Sequence, residues 1–174
     1  RERSAALREV ALVPQDFGFP RHFRLRDFLA YLAWLRAVPK SARADAVERA
    51  AADVHLTSRL SSRLGDLSGG MLRRAAIAQA LLGDARTILF DEPTAGLDPD
   101  QRASIRDLIA EIGTYRTALL ASHIVEDIAY LGDRVVVLHE GRMLYDGDVT
   151  GLSSQGRPGQ GGSALEAGFL SLVR

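Results

Sequence analysis

Two short stretches define this chain: Leu67-Ser68-Gly69-Gly70-Met71 and, further along, Ile88-Leu89-Phe90-Asp91-Glu92-Pro93. In the first, a serine and two glycines can present a hydroxyl group and open backbone N–H groups to a phosphate. The apolar run that follows predicts a helix from Gly70 to Leu82, whose N-terminal dipole favours an anion. The first stretch therefore predicts a phosphate-binding site that needs no lysine.

The second stretch predicts a buried strand that ends in two carboxylates. Thr87 to Phe90 is a short apolar run, typical of a strand in a parallel sheet, and Asp91 and Glu92 follow it. Ligand sites of open α/β sheets lie at this end of the strands. Because successive strand side chains point to opposite faces, one carboxylate can hold Mg²⁺ while the other addresses a water molecule. The pair indicates metal-assisted phosphoryl transfer.

With these two stretches the chain resembles the ATPase domain of ABC transporters. Leu67–Met71 matches the signature motif of that family, and Ile88–Glu92 matches its Walker B strand. Three further motifs follow the family's order, namely the Q-loop, the D-loop and the switch histidine, at Gln15, Ala95-Gly96-Leu97-Asp98 and Ser122-His123. The family usually has glutamine where this chain has Met71, and that variant resembles the subfamily whose membrane partners are ABC-2-type exporters.

The resemblance implies a catalytic role for three residues and a metal role for two. Glu92 would polarise the attacking water, and Asp91 would hold Mg²⁺ through its coordinated waters. Gln15 would approach the same ion and the same water, and His123 would donate a hydrogen bond to the γ-phosphate of ATP. Simpler interpretations remain open: a carboxylate at a strand-end turn, an ordinary loop glutamine and a structural histidine.

The resemblance also implies nucleotide-binding roles for Ser68, Gly69, Gly70 and Asp98. In the family the signature motif closes over ATP held by an opposing subunit, so hydrolysis needs a second ATPase subunit packed head to tail. The local alternative makes Ser68 a helix N-cap beside two permissive glycines. Asp98 can likewise be the N-cap of a helix that begins near Asp100. The local and the functional roles are compatible.

Composition sets the class of protein. The chain has 174 residues, 47% hydrophobic and 25% charged, which is ordinary for one globular domain. Its net charge is zero, so we expect no nucleic-acid partner. No apolar run reaches the roughly twenty residues of a membrane span. Any membrane role must therefore come through a partner, and the resemblance implies that this partner is an integral membrane permease subunit at the cytoplasmic face of the membrane. The absence of cysteine excludes disulfides and thiolate metal sites.

The phosphate loop of the family is absent from this sequence. That loop, G-x-x-x-x-G-K-[ST], needs a lysine, and the single lysine, Lys40, follows Arg36-Ala37-Val38-Pro39 without a glycine. In the family the loop precedes the strand before Gln15. The resemblance therefore implies that the N-terminal lobe, with its Walker A motif, is missing, and we expect the chain alone to be inactive.

The pattern along the chain predicts an α/β fold with a parallel sheet and an all-helical region, and the resemblance implies that these are a P-loop NTPase-like core, RecA-like in its C-terminal part, and an inserted helical subdomain. Residues 1–19 end the core strand Val10–Val13 and carry the Q-loop, residues 20–83 form the helical subdomain with the signature motif, and residues 84–152 form a RecA-like α/β core. The core is predicted from alternating segments, at Thr87–Phe90, Asp100–Ile112, Thr117–Ala121, Ile124–Leu131 and Arg134–Leu138.

Smaller features complete the prediction. In the helical subdomain, one helix buries residues at helical spacing and exposes Trp34; the buried set is Phe28, Tyr31, Leu32 and Leu35. A second helix runs from Ser41, its N-cap, to about Val54. Glu140-Gly141 predicts a hairpin turn. Residues 153–163 predict a flexible linker, and residues 164–174 predict a short helix.

Taken together, the sequence predicts the ATP-binding and ATP-hydrolysing subunit of an ABC exporter that uses Mg²⁺ and ATP and drives a separate membrane subunit. Two alternatives remain. A non-transport ABC ATPase would act on ribosomes or DNA, although the chain has neither a long heptad insertion nor a basic run. A catalytically incompetent fragment would act only as an interaction module.

Overall fold

The computed structural model describes residues 9–157 and 162–173. Contacts divide the chain into two units, Arg1–Ala121 and Ser122–Arg174. This boundary falls inside the segment 84–152 that the sequence assigns to one α/β core. Each unit is described by itself below.

The first unit contains a parallel sheet of three strands in the order β1-β2-β3. These strands are β1 (Val10–Val13), β2 (Thr87–Asp91) and β3 (Thr117–Ala121). Val13 lies opposite Phe90, and Asp91 lies opposite Ala121. The register is therefore in line across the sheet, and the carboxyl ends of the three strands meet at one edge.

Four α-helices accompany this sheet: α1 (Leu25–Leu35), α2 (Arg43–Asp53), α3 (Gly69–Leu81) and α4 (Pro99–Gly113). Short 3₁₀ turns lie between the first three, at Lys40–Ala42, Thr57–Arg59 and Leu64–Asp66. Helices α1, α2 and α3 pack on one another, while α3 also contacts β1 and α4 contacts β3. The residues from Leu25 to Leu81 thus form the helical region that the sequence predicts.

Two details of that prediction are wrong. Ser41 is not an N-cap, because it lies within a 3₁₀ turn and the residue before α2 is Ala42, which makes no side-chain cap. Tyr31 and Leu35 are not core residues, since they are 49% and 55% exposed. Helix α1 turns Leu25, Phe28, Leu29 and Ala33 inward instead. Trp34 is exposed, as predicted.

Helix α3 is joined to β1 through a buried glutamine. Gln79 Nε2 donates to the carbonyl of Leu12 at 2.8 Å, and Arg36 Nη2 donates to Gln79 Oε1 at 2.8 Å. Burial lowers the pKa of Arg36, and the neighbouring charge of Arg116 lowers it further. A buried polar side chain is tolerated only when it is hydrogen-bonded, and Gln79 makes a bond with each end of its amide. The strand that leads to Gln15 is therefore fixed to the signature helix.

The sheet has one covered and one open face. Ala11, Val13, Ile88 and Phe90 are buried on the covered face. On the other face Leu12 and Leu119 are 51% and 60% exposed, although both flank Leu89 in register. Parallel sheets are normally covered on both faces. This open apolar face is therefore a surface that a further layer of structure would bury.

The second unit contains a hairpin and three helices: α5 (Val125–Leu131), β4 (Val135–His139), β5 (Arg142–Gly147), α6 (Val149–Ser154) and α7 (Ala164–Val173). Strands β4 and β5 pair antiparallel. Glu140 and Gly141 both have positive φ, at 47° and 75°, which suits a tight hairpin turn. The predicted hairpin is confirmed.

The predicted place of β4 in the parallel sheet is wrong within the described residues, because β4 pairs with β5 in a separate two-stranded sheet. The predicted linker also begins too early. Helix α6 extends to Ser154, since Leu152 anchors it in a core with Val135, Val137 and Leu165. Residues 158–161, the middle of that linker, lie outside the described residues.

Candidate functional site

Two of the predicted site residues lie at the carboxyl edge of the sheet, and a third lies two residues after a strand that ends there. Asp91 is the last residue of β2 and Glu92 is the next residue along the chain. Gln15 comes two residues after β1. Since Val13 is in register with Phe90, β1 and β2 deliver their following residues to the same edge. The sheet therefore brings Gln15, Asp91 and Glu92 to one end of the first unit.

Glu92 is held in an unusual backbone conformation. Its φ is +45°, in the left-handed region that residues other than glycine rarely adopt. Its N–H donates to the carbonyl of Ala121 at 2.9 Å, and its own carbonyl accepts from the N–H of Ala95 at 3.2 Å. Such strain persists where surrounding bonds impose it, and it is concentrated at functional sites. No sequence signal indicated this conformation.

Asp91 lies where its predicted Mg²⁺ role requires an exposed carboxylate, and that role stays a prediction. Its side chain is exposed at the edge of the sheet, and it lies in register with Ala121 at the end of β3. Mg²⁺ keeps several waters and needs only one or two carboxylates when a nucleotide supplies phosphate oxygens. In the described ranges, no three or more His, Asp or Glu residues lie together as a group that could hold a metal ion. The single carboxylate of Asp91 suits an ion that arrives with a nucleotide.

The signature motif is the start of helix α3. Ser68 is its N-cap, and Ser68 Oγ accepts from the N–H of Met71 at 3.3 Å. The helix begins at Gly69, one residue earlier than predicted. The first N–H groups of a helix have no partner within it, and they point along the axis toward an anion. The N-cap role of Ser68 is confirmed, and it leaves the N–H groups of both glycines available to a ligand.

The D-loop helix begins beside the signature motif. Asp98 is the N-cap of α4, with Oδ1 accepting from the N–H of Gln101 at 2.8 Å. Gln101 packs so closely on Gly70 that a β-carbon there would lie 3.1 Å from Gln101 Oε1. Arg74 on α3 donates to Ser104 on α4. A cavity of about 280 Å³ lies between the two helix starts, lined in part by Ser68, Gly70, Arg74 and Gln101. The local role predicted for Asp98 is confirmed.

The switch histidine belongs to the second unit. His123 lies between β3 and α5, in a turn where the N–H of Ile124 donates to Ser122 Oγ at 3.1 Å. The serine of the Ser122-His123 pair therefore closes the turn that carries the histidine. The role of His123 toward phosphate stays a prediction.

Replacing Gly69 by alanine is expected to stabilise the chain while abolishing nucleotide-dependent turnover. No atom lies within 4 Å of a β-carbon at this position, and its φ is not positive. Alanine therefore fits, and it should raise the free energy of unfolding by about 0.4–1 kcal/mol. The same methyl group would stand where a phosphate must approach the N–H groups. Urea unfolding and Mg-ATP hydrolysis by the complete protein measure the two effects.

Gly113→Ala is the matched control for this change. Gly113 ends α4, and nothing lies within 4 Å of a β-carbon there. We expect a similar stabilisation with unchanged turnover. Full turnover by Gly69→Ala would contradict the ligand role of this glycine.

Comparisons with known proteins agree with this geometry. Residues 1–95 match the ABC transporter family profile. A solved ABC transporter structure in an inward-facing conformation matches 83% of this chain and 60% of its own, with a TM-score of 0.74 at 22% identity. This likeness confirms the α/β, P-loop NTPase-like fold. Because the profile covers more than half of the sequence, the chain belongs to the ABC transporter family, and it corresponds to the ATP-binding domain.

Several relatives belong to the A family of these transporters. "ABC transporter A family member 1" of Dictyostelium discoideum is 30% identical over 152 residues, 87% of this chain and 17% of that protein. The human "Retinal-specific phospholipid-transporting ATPase ABCA4" is 30% identical over 143 residues, 82% of this chain and 6% of its own. "ABC transporter A family member 2" of Arabidopsis thaliana is 36% identical over 117 residues, 67% of this chain and 12% of its own. The chain thus spans a small part of each relative.

Proposed function

We propose that this chain is part of the ATP-hydrolysing subunit of an ABC exporter and that it powers transport through a separate membrane subunit. The observation that carries this proposal is the end of β2, where an exposed Asp91 is followed by a strained Glu92. Phosphoryl transfer depends on a positioned nucleophile and on charge neutralised at the phosphate. Two adjacent carboxylates with separate surroundings suit these two tasks.

The residues divide the chemistry among them. Asp91 would hold the waters of a Mg²⁺ ion, which supplies positive charge to the phosphates when it is bound with ATP. Glu92 would orient and polarise the attacking water. Gln15 would contact the same water and ion with its neutral amide, which can both accept and donate. His123 would donate to a γ-phosphate oxygen.

The open face of the sheet supports a further lobe of the same ATPase domain. Leu12 and Leu119 leave apolar surface exposed beside Asp91, on the face that carries its side chain. Removing apolar surface from water stabilises the buried arrangement by about 25 cal/mol per Å². A lobe that carries the lysine-containing phosphate loop would cover this face and place ATP next to the metal residue.

The signature motif supports a composite site. Ser68, Gly69 and Gly70 bind phosphate through a hydroxyl and helix N–H groups, without a lysine. In the proposed dimer they contact ATP held by a second ATPase subunit, while Asp91 and Glu92 serve the ATP of their own subunit. ATP would close such a dimer and hydrolysis would reopen it.

Membrane attachment would come from a partner. Within residues 9–157 and 162–173, no helix is both long and apolar enough to span a bilayer. From its membership of the ABC transporter family, we propose that the protein binds the cytoplasmic face of a permease subunit. The direction of transport is proposed as export, on the basis of Met71 in the signature motif.

Asp91→Asn in the complete protein tests the proposal. Loss of one charge beside the hydrated ion should lower the affinity for Mg²⁺, so that the Mg²⁺ concentration at half-maximal hydrolysis rises by about 10- to 100-fold. The KM for ATP at saturating Mg²⁺ should change less. The measurement is a Mg²⁺ titration of ATP hydrolysis. Asp45→Asn, the same change in the first turn of α2, is the control. A complete protein without Mg-ATP hydrolysis, or an unchanged titration, would contradict the proposal.

A further inference from the structure

The Q-loop, defined here as residues 14–19, is held by a side chain of the signature helix. Arg73 lies on α3, two residues after Met71. Its Nη1 donates to the carbonyl of Gln15 at 2.7 Å and to that of Pro14 at 3.3 Å. Hydrogen bonds from an ionised donor are about twice as strong as neutral ones. One guanidinium group therefore holds the two backbone carbonyls that flank the Cα of Gln15.

The rest of the loop depends on a second helix. Phe17, Phe19 and Phe28 form a ring cluster with centroids 4.8, 5.7 and 5.9 Å apart, and Phe28 lies on α1. Among the described residues, no backbone–backbone hydrogen bond outside the helices and strands involves residues 15–19. The loop is therefore attached to helices α1 and α3 by side chains, rather than to the sheet by its backbone.

The attachment of α3 extends along the strand before the loop. Gln79, on the same helix, donates to the carbonyl of Leu12, so α3 holds both the strand and the Q-loop. Arg73 is half-buried; burial lowers its pKa, and the charge of Asp16 raises it. Met71 and Arg73 lie within one turn of the same helix, so a displacement of the signature motif would carry Arg73 with it.

We propose that Arg73 is a positioning residue that makes Gln15 move with the signature helix. The inference rests on the proposed function, since Gln15 acts on the metal and the attacking water only in an ATPase. It adds a physical link between the two motifs: contact of the signature motif with one nucleotide sets the position of the glutamine that serves the other. The proposed role of Arg73 is exerted through Gln15, whose carbonyl it binds.

A double-mutant cycle tests whether Arg73 acts through Gln15. Arg73→Met keeps the length of the side chain and removes its donors, and we expect kcat to fall about 10- to 100-fold, with a small change in the KM for ATP. In a Gln15→Ala background the same change should lower kcat less than twofold, because the positioned group is already absent. Additive losses in the two backgrounds would overturn the proposal.

Two further variants separate positioning from folding. Arg73→Lys retains one charged donor but not the fork, so it should recover part of the lost kcat. Arg26→Met is the matched control. It removes an arginine that lies in the same structural unit of the chain and pairs at the surface with Glu48, and it should leave kcat unchanged. Failure of the lysine variant to exceed the methionine variant would contradict the hydrogen-bonding role.

A second measurement does not depend on hydrolysis. The chain contains no cysteine, and β-carbons at Gly18 and Gly113 would meet no atom within 4 Å. Nitroxide labels on Gly18→Cys and Gly113→Cys, in a complete protein whose other cysteines have been replaced, report the distance from the Q-loop to the end of α4. Pulsed electron paramagnetic resonance should show a broader distance distribution in Arg73→Met and the wild-type distribution in Arg26→Met.

The outcomes of these measurements are distinct. An unchanged distance distribution in Arg73→Met would overturn the inference, whatever the ATPase activity. Suppose that the wild-type complete protein hydrolyses no Mg-ATP, while Arg73→Met still broadens the distance distribution. That result would overturn the proposed function and keep the structural link.

Discussion

Glu92→Gln is expected to lower the kcat of the complete ATPase by about two to four powers of ten while leaving ATP binding intact. The change keeps the size of the side chain and removes the charge that polarises water. The backbone at Glu92 has φ +45° and is held by Ala121 and Ala95, so glutamine should occupy the same position. Single-turnover hydrolysis and equilibrium binding of Mg-ATP separate the two effects.

The matched control is Glu140→Gln. Glu140 is also a glutamate with positive φ, at 47°, but it lies in the hairpin turn between β4 and β5. The same chemical change at the same kind of backbone should leave kcat at the wild-type value. A Glu92→Gln protein with normal turnover would remove Glu92 from the role proposed here.

The sequence predicts those features that depend only on residues close together in the chain. Strand β3 was predicted at its observed bounds, because Thr117–Ala121 is an apolar run between polar residues. The N-caps Ser68 and Asp98 were predicted from residue type, since a cap is a contact within one turn of helix.

The errors concern contacts made over longer distances. Tyr31 and Leu35 have the spacing of a buried face, but the packing of α1 on α2 and α3 selects the neighbouring face, with Leu25 and Leu29. Strand β4 is a continuous apolar run like a strand of a parallel sheet, yet pairing with β5 places it in a hairpin. Periodicity predicts that an element has an inner face and does not indicate which partner covers it.

Part of the candidate site was equally inaccessible from the sequence. The strained backbone of Glu92 results from a hydrogen bond to a residue on another strand. The bond from Arg73 to Gln15 joins residues 58 positions apart. Five short motifs identified the chemistry, but the link between two of them required the packing of α3 against β1.

Ser68→Arg is expected to reduce turnover of the complete protein by at least about 100-fold, the usual loss when a donor to the reacting phosphate is removed. The larger side chain would fill the start of α3, where Ser68 caps the helix. Loss of a cap by itself costs about 0.5–2 kcal/mol of stability. Asp148→Ala, which removes the cap of α6, should leave turnover unchanged and thereby separate the two effects.

The composite site can be tested by mixing the two inactive proteins. In a head-to-tail dimer of Glu92→Gln with Ser68→Arg, one site contains both substitutions and the other contains neither. Mixing the purified subunits and allowing exchange should therefore restore Mg-ATP hydrolysis well above that of either parent. A mixture that forms mixed dimers but is no more active than its parents would contradict the claim that the signature motif of one subunit completes the site of another.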